Sequence, residues 1–336
     1  MVPNGSRPRG LSDGTVFAII GGGIAGSVQA IHLAEEYPLL KILLFEKNQE
    51  ILSGTSGMNP GRPTFGFHYH DIDTATFCQD NTVKFTKFLD NIGCQDIFAK
   101  APQRGIYVLM KDAVPILGES VKPVFSFDEM KPVFEQIRCH AIKNYSHDEG
   151  FKKHFGPPEK IYRELEKVEY ESFLTPELLK GVGTCYETAE KTFDTVGICS
   201  FLRDYVKRFK NLAVITGAYV TRLEYLHQSP DAGYRITWNN GRGTKDQSEI
   251  AQLLTLACWE RVGLFREQLG KPECQPTHNR LKMLAIVEME IMAERLKTIR
   301  PIFIASGPFC MISPQECIKT SSGRILCPCP KSMIGC

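Results

Sequence analysis

No apolar run in the sequence approaches the roughly 20 residues that a membrane-crossing helix needs. The longest candidates, Leu39 to Phe45 and Met283 to Val287, have the length of strands. An excess of either charge is also missing: 40 Lys and Arg against 38 Asp and Glu leave a formal net charge of +2. A nucleic-acid-binding face or an acidic membrane surface as partner therefore has no electrostatic footprint here. The chain has no internal repeat and no low-complexity tract. Its first residues, MVPNGSRPRGLSDG, are polar, basic and rich in Gly and Pro, with no apolar stretch behind them. They read as a loose tail over residues 1–14 rather than a secretory signal. Twelve cysteines without such a signal predict reduced thiols and a cytoplasmic location instead of a disulfide framework.

What remains is ordinary for a globular protein, with 43 % hydrophobic and 23 % charged residues over 336 positions. That length can bury more than one core. The first strong pattern is Thr15 to Ile20, a short apolar run with β-branched residues that suits a parallel strand buried on both faces. GGGIAGS follows at once. Ile24, Ala25, Val28, Ile31 and Ala34 then recur at helical spacing until Pro38 ends the helix. A second apolar run, Leu40 to Phe45, closes a strand–helix–strand unit with Glu46 at its end. Such a unit is parallel and right-handed.

Gly21, Gly23 and Gly26 fit G-x-G-x-x-G between that strand and that helix. The first glycine permits the tight turn, the second lets the backbone approach a pyrophosphate, and the third brings helix and strand close. The helix N-terminus then offers free N–H groups and a positive dipole end to the phosphates. Glu46 lies 20 residues beyond Gly26, where a carboxylate can accept from both ribose hydroxyls and disfavours a 2′-phosphate. The pattern predicts a dinucleotide site. It does not by itself separate FAD from NAD, but the order of elements does: the sheet pauses after the first units and resumes near residue 194.

Residues 48–72 form a long loop rich in Gly, Pro and Ser, and a loop of that length inside a compact domain is usually functional. Asp73 is positioned to cap a helix with Phe77, Phe85, Phe88, Leu89 and Ile92 on its apolar face, stopped by Gly93. Residues 101–185 differ in character and read as part of a second region, opening on the strand GIYVLM. A helix from Asp194 or Thr195, the strands NLAVITGA, YVTRLEYL and GYRITW, and the buried strand LLTLACW return to the first region. RLKMLAIVEMEI and PIFIASG supply further strands of the second region. The expected organisation is a nucleotide domain of 15–100 and 186–262, a second domain of 101–185 and 263–312, and an atypical tail over 313–336. His140, His147 and His154 recur every seven residues, too far apart for a single-metal pair on a helix, and read as a solvated face.

FAIIGGGIAGSVQAIHLA, ILLFEK, GTSGMNPGRPTFGFHY, VITGAYVTRLEY and LLTLACWE together resemble the D-amino-acid-oxidase-like FAD-dependent oxidoreductases, over roughly residues 15–312. The resemblance implies an α/β fold: an FAD-binding Rossmann-like (GR2-type) domain interleaved with an antiparallel-sheet substrate domain. It implies FAD as cofactor, held by Gly21, Gly23, Ile24, Ala25 and Gly26 at the pyrophosphate. Glu46 would meet the ribose, Lys47 and the Val220 backbone the adenine, and Gly54, Thr55, Ser56 and Asn59 the chain leading to the flavin. Cys258 and Trp259 close the strand that ends near the phosphates, where the family carries small residues. In such a fold His68, Tyr69 and His70 reach towards the flavin ring, and an imidazole suits the proton of an alcohol substrate. Arg62, Tyr69 and Arg280 are the expected substrate contacts, and His68, His70 and Tyr107 the expected catalytic groups, because a bidentate Arg suits a carboxylate. The alternation in FGFHYH sends its aromatics and its histidines to opposite faces if the segment is extended.

The implied activity is hydride transfer from a small polar substrate (an amino acid, secondary amine or hydroxy acid) to flavin N5, with oxygen or a quinone as electron acceptor. The chain departs from the family after FIASGPFCMISP. The ending QECIKTSSGRILCPCPKSMIGC shows no strand, Gly-rich loop and helix of the expected kind, and its C-P-C spaces thiolates too closely for a zinc knuckle. Such an ending reads as foreign to the fold, as an early stop, altered frame or unusual splicing would leave it. It predicts weakened FAD retention, and the alternative is a truncated, non-catalytic dinucleotide-binding protein.

Overall fold

The computed structural model describes residues 14–59, 61–99, 104–116, 119–123, 125–227, 232–241, 244–271, 300–304, 310–312, 318–319 and 325–326. Arg280, the strand expected at RLKMLAIVEMEI and the cysteines of the C-P-C motif lie outside the described residues. Two compact units divide the chain, one from residues 1–59 and 199–287 and the other from 60–198 and 288–336. The first boundary thus falls some forty residues before the expected one at 100, because the helix after the long loop packs with the second region's strands and helices rather than with the glycine turn.

In the first unit, β1 (Val16–Ile20), α1 (Ile24–Glu36) and β2 (Lys41–Phe45) form the expected strand–helix–strand. Leu253–Leu256 lies on one side of β1, β2 on the other, and Leu212–Ile215 beyond β2, all parallel. The register pairs Ile20 with Leu256 and with Phe45, and Phe45 with Ile215. All four strands therefore end at one level, the carboxyl edge at which open α/β sheets take ligands. The strands Tyr219–Leu226, Gly233–Asn239 and Gln247–Ala251 make a separate antiparallel sheet. Ala18, Ile20, Leu43 and Phe45 share a buried core with its Val220, Leu223, Ile236 and Trp238. Phe45 meets Trp238 edge-on at 4.9 Å, the geometry that ring quadrupoles favour.

In the second unit, α2 (Ile72–Asn91) starts two residues earlier than the sequence suggested: Asp71, not Asp73, is its cap, with Oδ2 accepting from Thr74 N at 2.8 Å. Asp73 sits in the first turn, where a carboxylate still favours the helix dipole. The expected apolar face is also corrected. Phe77 is 68 % exposed, while Ala75, Gln79, Thr82, Val83, Thr86 and Leu89 are buried. The reason is local: this face covers loop backbone, and Thr82 Oγ1 donates to the Thr64 carbonyl at 2.7 Å. A hydroxyl meets that need and a phenyl ring does not.

The central strand of the second sheet is β3 (Ile106–Met110), buried at every position. Val182–Thr188 and then Tyr162–Glu164 flank it on one side, antiparallel, and Ile302–Ile304 on the other, parallel. The sheet is antiparallel except at that one joint. α3 (Phe127–Tyr145) begins on a full capping box between Ser126 and Glu129. α4 (Glu149–Phe155) follows, and the two helices contribute Phe134, Ile137, Phe151 and Phe155 to an aromatic core with Phe65, Phe67, Tyr107 and Tyr186.

The three spaced histidines do not share a solvated face. His147 is exposed, but His140 Nε2 lies 2.8 Å from Asp80, and His154, 7 % exposed, lies 2.6 Å from Asp90. Both aspartates project from α2 and tie it to α3 and α4. Burial works to raise the Asp80 carboxyl, yet hydrogen bonds from Tyr145 and His140 hold it below its ordinary 3.8. A carboxylate depressed in the fold stabilises it fully above its unfolded value and loses that contribution as pH falls through its folded one. Asp80→Asn is therefore expected to cost up to ~1 kcal/mol at neutral pH. In urea titrations, the difference from wild type should shrink once the pH drops below 3.8; a difference that stays constant with pH would show that the Asp80 charge contributes nothing.

Candidate functional site

The glycine turn of the first unit is built as its spacing requires. Gly21 has φ +111°, a conformation that L side chains rarely adopt, and a Cβ there would strike the Ala257 carbonyl. A Cβ on Gly26 would strike the carbonyl of Gly21. Gly23 differs: an added Cβ would meet only Ser56 Oγ, at 3.2 Å. Two of the glycines are thus fixed by backbone, whereas the only near neighbour of a Cβ at Gly23 is the Ser56 side chain. No side chain caps that helix at Gly23, and no acidic residue occupies its first turn.

Glu46, 7 % exposed, is held by two backbone donors: Gly22 N reaches its Oε2 at 2.9 Å and Asn48 N its Oε1 at 2.8 Å. The carboxylate is therefore aimed before any ligand arrives. The loop expected to wrap a pyrophosphate is anchored on the turn, with Leu52 N donating to the Gly22 carbonyl and Ile24 N to Ser56 Oγ, at 2.8 and 2.9 Å. Gly54 and Ser56 lie half-buried in it, and Thr55 and Asn59 are exposed. Lys47 pairs with Glu260 at 2.7 Å. The Val220 carbonyl is already taken by Arg261 Nη1 at 2.6 Å, a partner the sequence did not suggest. Trp259, at φ +47°, presents an 83 % exposed indole just past the strand Leu253–Leu256. Burial pushes the neighbouring Cys258 thiol up to about 11, so it is not a thiolate at neutral pH.

In the second unit, the segment FGFHYH is not extended. Tyr69 N bonds back to the Gly66 carbonyl at 2.8 Å, and Gly66, at φ +88°, packs against the Ala75 backbone. The alternation of faces expected from an extended chain is replaced by this turn. Phe67 is buried, His68 and Tyr69 are half-buried, and His70 is exposed and stacked on Phe125 at 4.6 Å. His68 lies 4.0 Å from Tyr69 and 5.6 Å from Phe303, ring to ring, with Nδ1 3.3 Å from Thr64 Oγ1.

Arg62 and Tyr107 gather at the same Phe303 ring. The guanidinium lies 5.7 Å and the phenol ring 5.0 Å from its centroid, and Arg62 stacks over Tyr107 at 4.7 Å. A residue the sequence reading passed over completes the cluster. Glu190 takes Arg62 Nε at 3.0 Å, Tyr107 Oη at 2.8 Å and Phe65 N at 2.6 Å. Nothing local marks Glu190, which sits in TAEKTFD and reads as a surface acid; only the three-dimensional fold buries it. Arg62 Nη1 and Nη2 are buried and have no partner among the described residues. Arg62, His68, Tyr69 and Tyr107 are thus brought together, and His70 is not.

The similarity to known proteins accords with this architecture. Residues 17–133 match the family model described as DAO, FAD dependent oxidoreductase. No curated protein matches the chain. Among solved structures it resembles L-amino acid deaminase from Proteus vulgaris with its specific insertion deleted, at 17 % identity and a TM-score of 0.50 over 76 % of this chain and 56 % of that one. It also resembles glycine oxidase from Geobacillus kaustophilus, at 13 % identity and a TM-score of 0.50 over 76 % and 59 %. The chain spans less than two thirds of the length of either, and likenesses this distant speak to the fold alone. Among the described residues no helix is long and apolar enough to cross a membrane. Over residues 17–133, which carry the glycine turn and its first parallel strands, the chain is thus similar to the DAO family of FAD dependent oxidoreductases.

Proposed function

We propose that the chain binds FAD and passes a hydride to it from a small polar substrate bearing an anionic group, such as an amino acid, an N-substituted amino acid or a hydroxy acid. The observation that carries this reading is the contrast among the glycines: a Cβ at Gly21 or Gly26 would strike backbone, while at Gly23 it would meet only the Ser56 side chain. Beside Gly23 stand a helix N-terminus whose first N–H is met by Ser56 Oγ and which carries no acidic residue in its first turn, and a carboxylate fixed by two backbone donors. Anion at one end and ribose at the other is the chemistry of a dinucleotide. When bound, FAD supplies the hydride-accepting N5. Gly23, Ile24, Ala25 and Ser56 hold its pyrophosphate, Glu46 its ribose, and Lys47 and Thr55 flank it. Arg62 offers Nη1 and Nη2 to the substrate's anionic group, and Tyr69 and Tyr107 wall the same cluster. His68, rather than His70, is the imidazole placed there to take a hydroxyl proton.

The purified full chain, mixed with FAD and then dialysed, is expected to keep twin flavin absorbance bands. Anaerobic addition of carboxylate-bearing amines or hydroxy acids should bleach them, and the corresponding decarboxylated amines and alcohols should not. A colourless protein after dialysis would sink the FAD reading and leave a non-catalytic protein. Flavin bands bleached equally well by uncharged substrates would sink the role given to Arg62.

A further inference from the structure

Among the described residues Glu190 is the most deeply buried carboxylate, at 1 % exposure, and the proposed reaction does not use it. Both of its oxygens are engaged, Oε1 by Phe65 N and Oε2 by Arg62 Nε and Tyr107 Oη. Arg62, with a side chain 7 % exposed, is neutralised by it yet keeps two buried donors unpaired among the described residues. A carboxylate paired with Nη1 and Nη2 would bring three charges summing to −1 into a site screened from water. Unbalanced buried charge is costly, and buried groups change protonation rather than bear it. We propose that Arg62 and Glu190 form a proton-coupled anion site, in which a carboxylate enters together with one proton and Glu190 takes that proton. The inference rests on the reading of Arg62 as the group that receives an anion.

The balance is simple. The proton comes from solvent, the Arg62 guanidinium stays charged, and the site goes from a neutral pair to a neutral triad. Tyr107 accommodates the change: its hydroxyl donates to Oε2 when Glu190 is ionised and can accept from a protonated Oε2, because a phenol oxygen does both. The other groups facing Glu190 are Arg62 of the 61–71 loop, Tyr107 of β3, and Cys78 of α2, whose thiol bonds to Tyr69; the imidazole of His68 lies against that same Tyr69 ring. Burial drives both the Tyr107 phenol and the Cys78 thiol upward, so neither binds a further proton. Burial also raises the Glu190 carboxyl, against the pull of Arg62, Phe65 N–H and Tyr107. That leaves it poised to take a proton once an anion offsets Arg62. His68 is the competing home for the proton, and the test must separate the two.

Acetate is a suitable probe, titrated calorimetrically into the full chain in two buffers of different ionisation enthalpy. Proton uptake approaching one per acetate is expected, with affinity rising roughly tenfold for each pH unit lowered between about pH 8 and pH 6. Glu190→Gln should bind acetate with no proton uptake and no pH dependence. His68→Gln should keep the uptake, and Arg62→Gln should lose binding. Should Glu190→Gln fail to fold, the infrared difference spectrum of the unmodified chain with ¹³C-acetate decides: a new protein carboxylic-acid C=O band supports the coupling and its absence overturns it. Acetate binding without proton uptake, uptake that survives in Glu190→Gln, or uptake lost in His68→Gln would each overturn the coupling while leaving Arg62 as an anion site. Failure of acetate to bind any form would instead remove the anion site itself, and the coupling with it.

Discussion

Gly26→Ala is expected to destabilise the first unit by about 3 kcal/mol, whereas Gly23→Ala should change stability by under ~1 kcal/mol and yet weaken FAD binding at least about tenfold. The difference follows from what each added methyl group meets. At Gly26 it runs into the Gly21 carbonyl, which belongs to the turn itself, so helix and strand must part. At Gly23 it approaches only the Ser56 hydroxyl, at 3.2 Å, a side chain that needs to give by no more than a few tenths of an ångström and can still accept from Ile24 N. The methyl then stands where a pyrophosphate needs to approach the backbone. Urea titrations followed by tryptophan emission measure the first effect. Trp238, 6 % exposed against Phe45, reports the core of this unit, while the 83 % exposed Trp259 supplies a constant background. Flavin fluorescence titration measures the second. Equal loss of stability in both variants would mean that Gly23, too, answers to packing, and the cradle would lose its main support.

Glu190→Ala is expected to cost about 3–5 kcal/mol, because it leaves the Arg62 charge buried without a counter-charge and strips Tyr107 Oη and Phe65 N of their acceptor. The pair itself is a different matter. Replacing both partners by apolar groups of similar volume, as in Arg62→Met with Glu190→Leu, should recover much of that loss, since neither desolvated charge then remains. A double-mutant cycle followed by circular dichroism separates the two statements. A cost below ~1 kcal/mol for Glu190→Ala would mean that water reaches Arg62 and that the cluster is not sealed. Function should respond in the opposite sense from stability: the apolar pair would restore the fold while abolishing acetate binding, because the two free guanidinium donors are gone.

Local signals were legible wherever a short segment had to satisfy its own backbone. The run from Thr15 to Ile20, the three glycines and Glu46 occupy contiguous or evenly spaced positions, and their roles follow from one strand, one turn and one helix. The strand GIYVLM and the helix following the long loop were equally readable from apolar content and length. Boundaries and faces were less so. Asp71 and Asp73 are chemically identical caps, and the choice fell to Asp71, where the preceding turn delivers the chain. Phe77 looked like core because phenyl rings usually are, but α2 buries Ala75, Gln79, Thr82 and Val83 instead, with Thr82 donating to loop backbone.

By itself, then, the sequence determined a dinucleotide-type strand–turn–helix and its distal acid, since both rest on contacts within about thirty residues. The tertiary structure alone decided which polar side chains share a buried cluster. Arg62 and Glu190 lie 128 positions apart, and Tyr107 comes from a third segment. No periodicity links residues at such separations. Their meeting depends on how β3 pairs with Val182–Thr188 and carries the chain on to Glu190, and burial there turns an ordinary surface-type acid into the partner of an arginine that keeps two buried donors unpaired among the described residues.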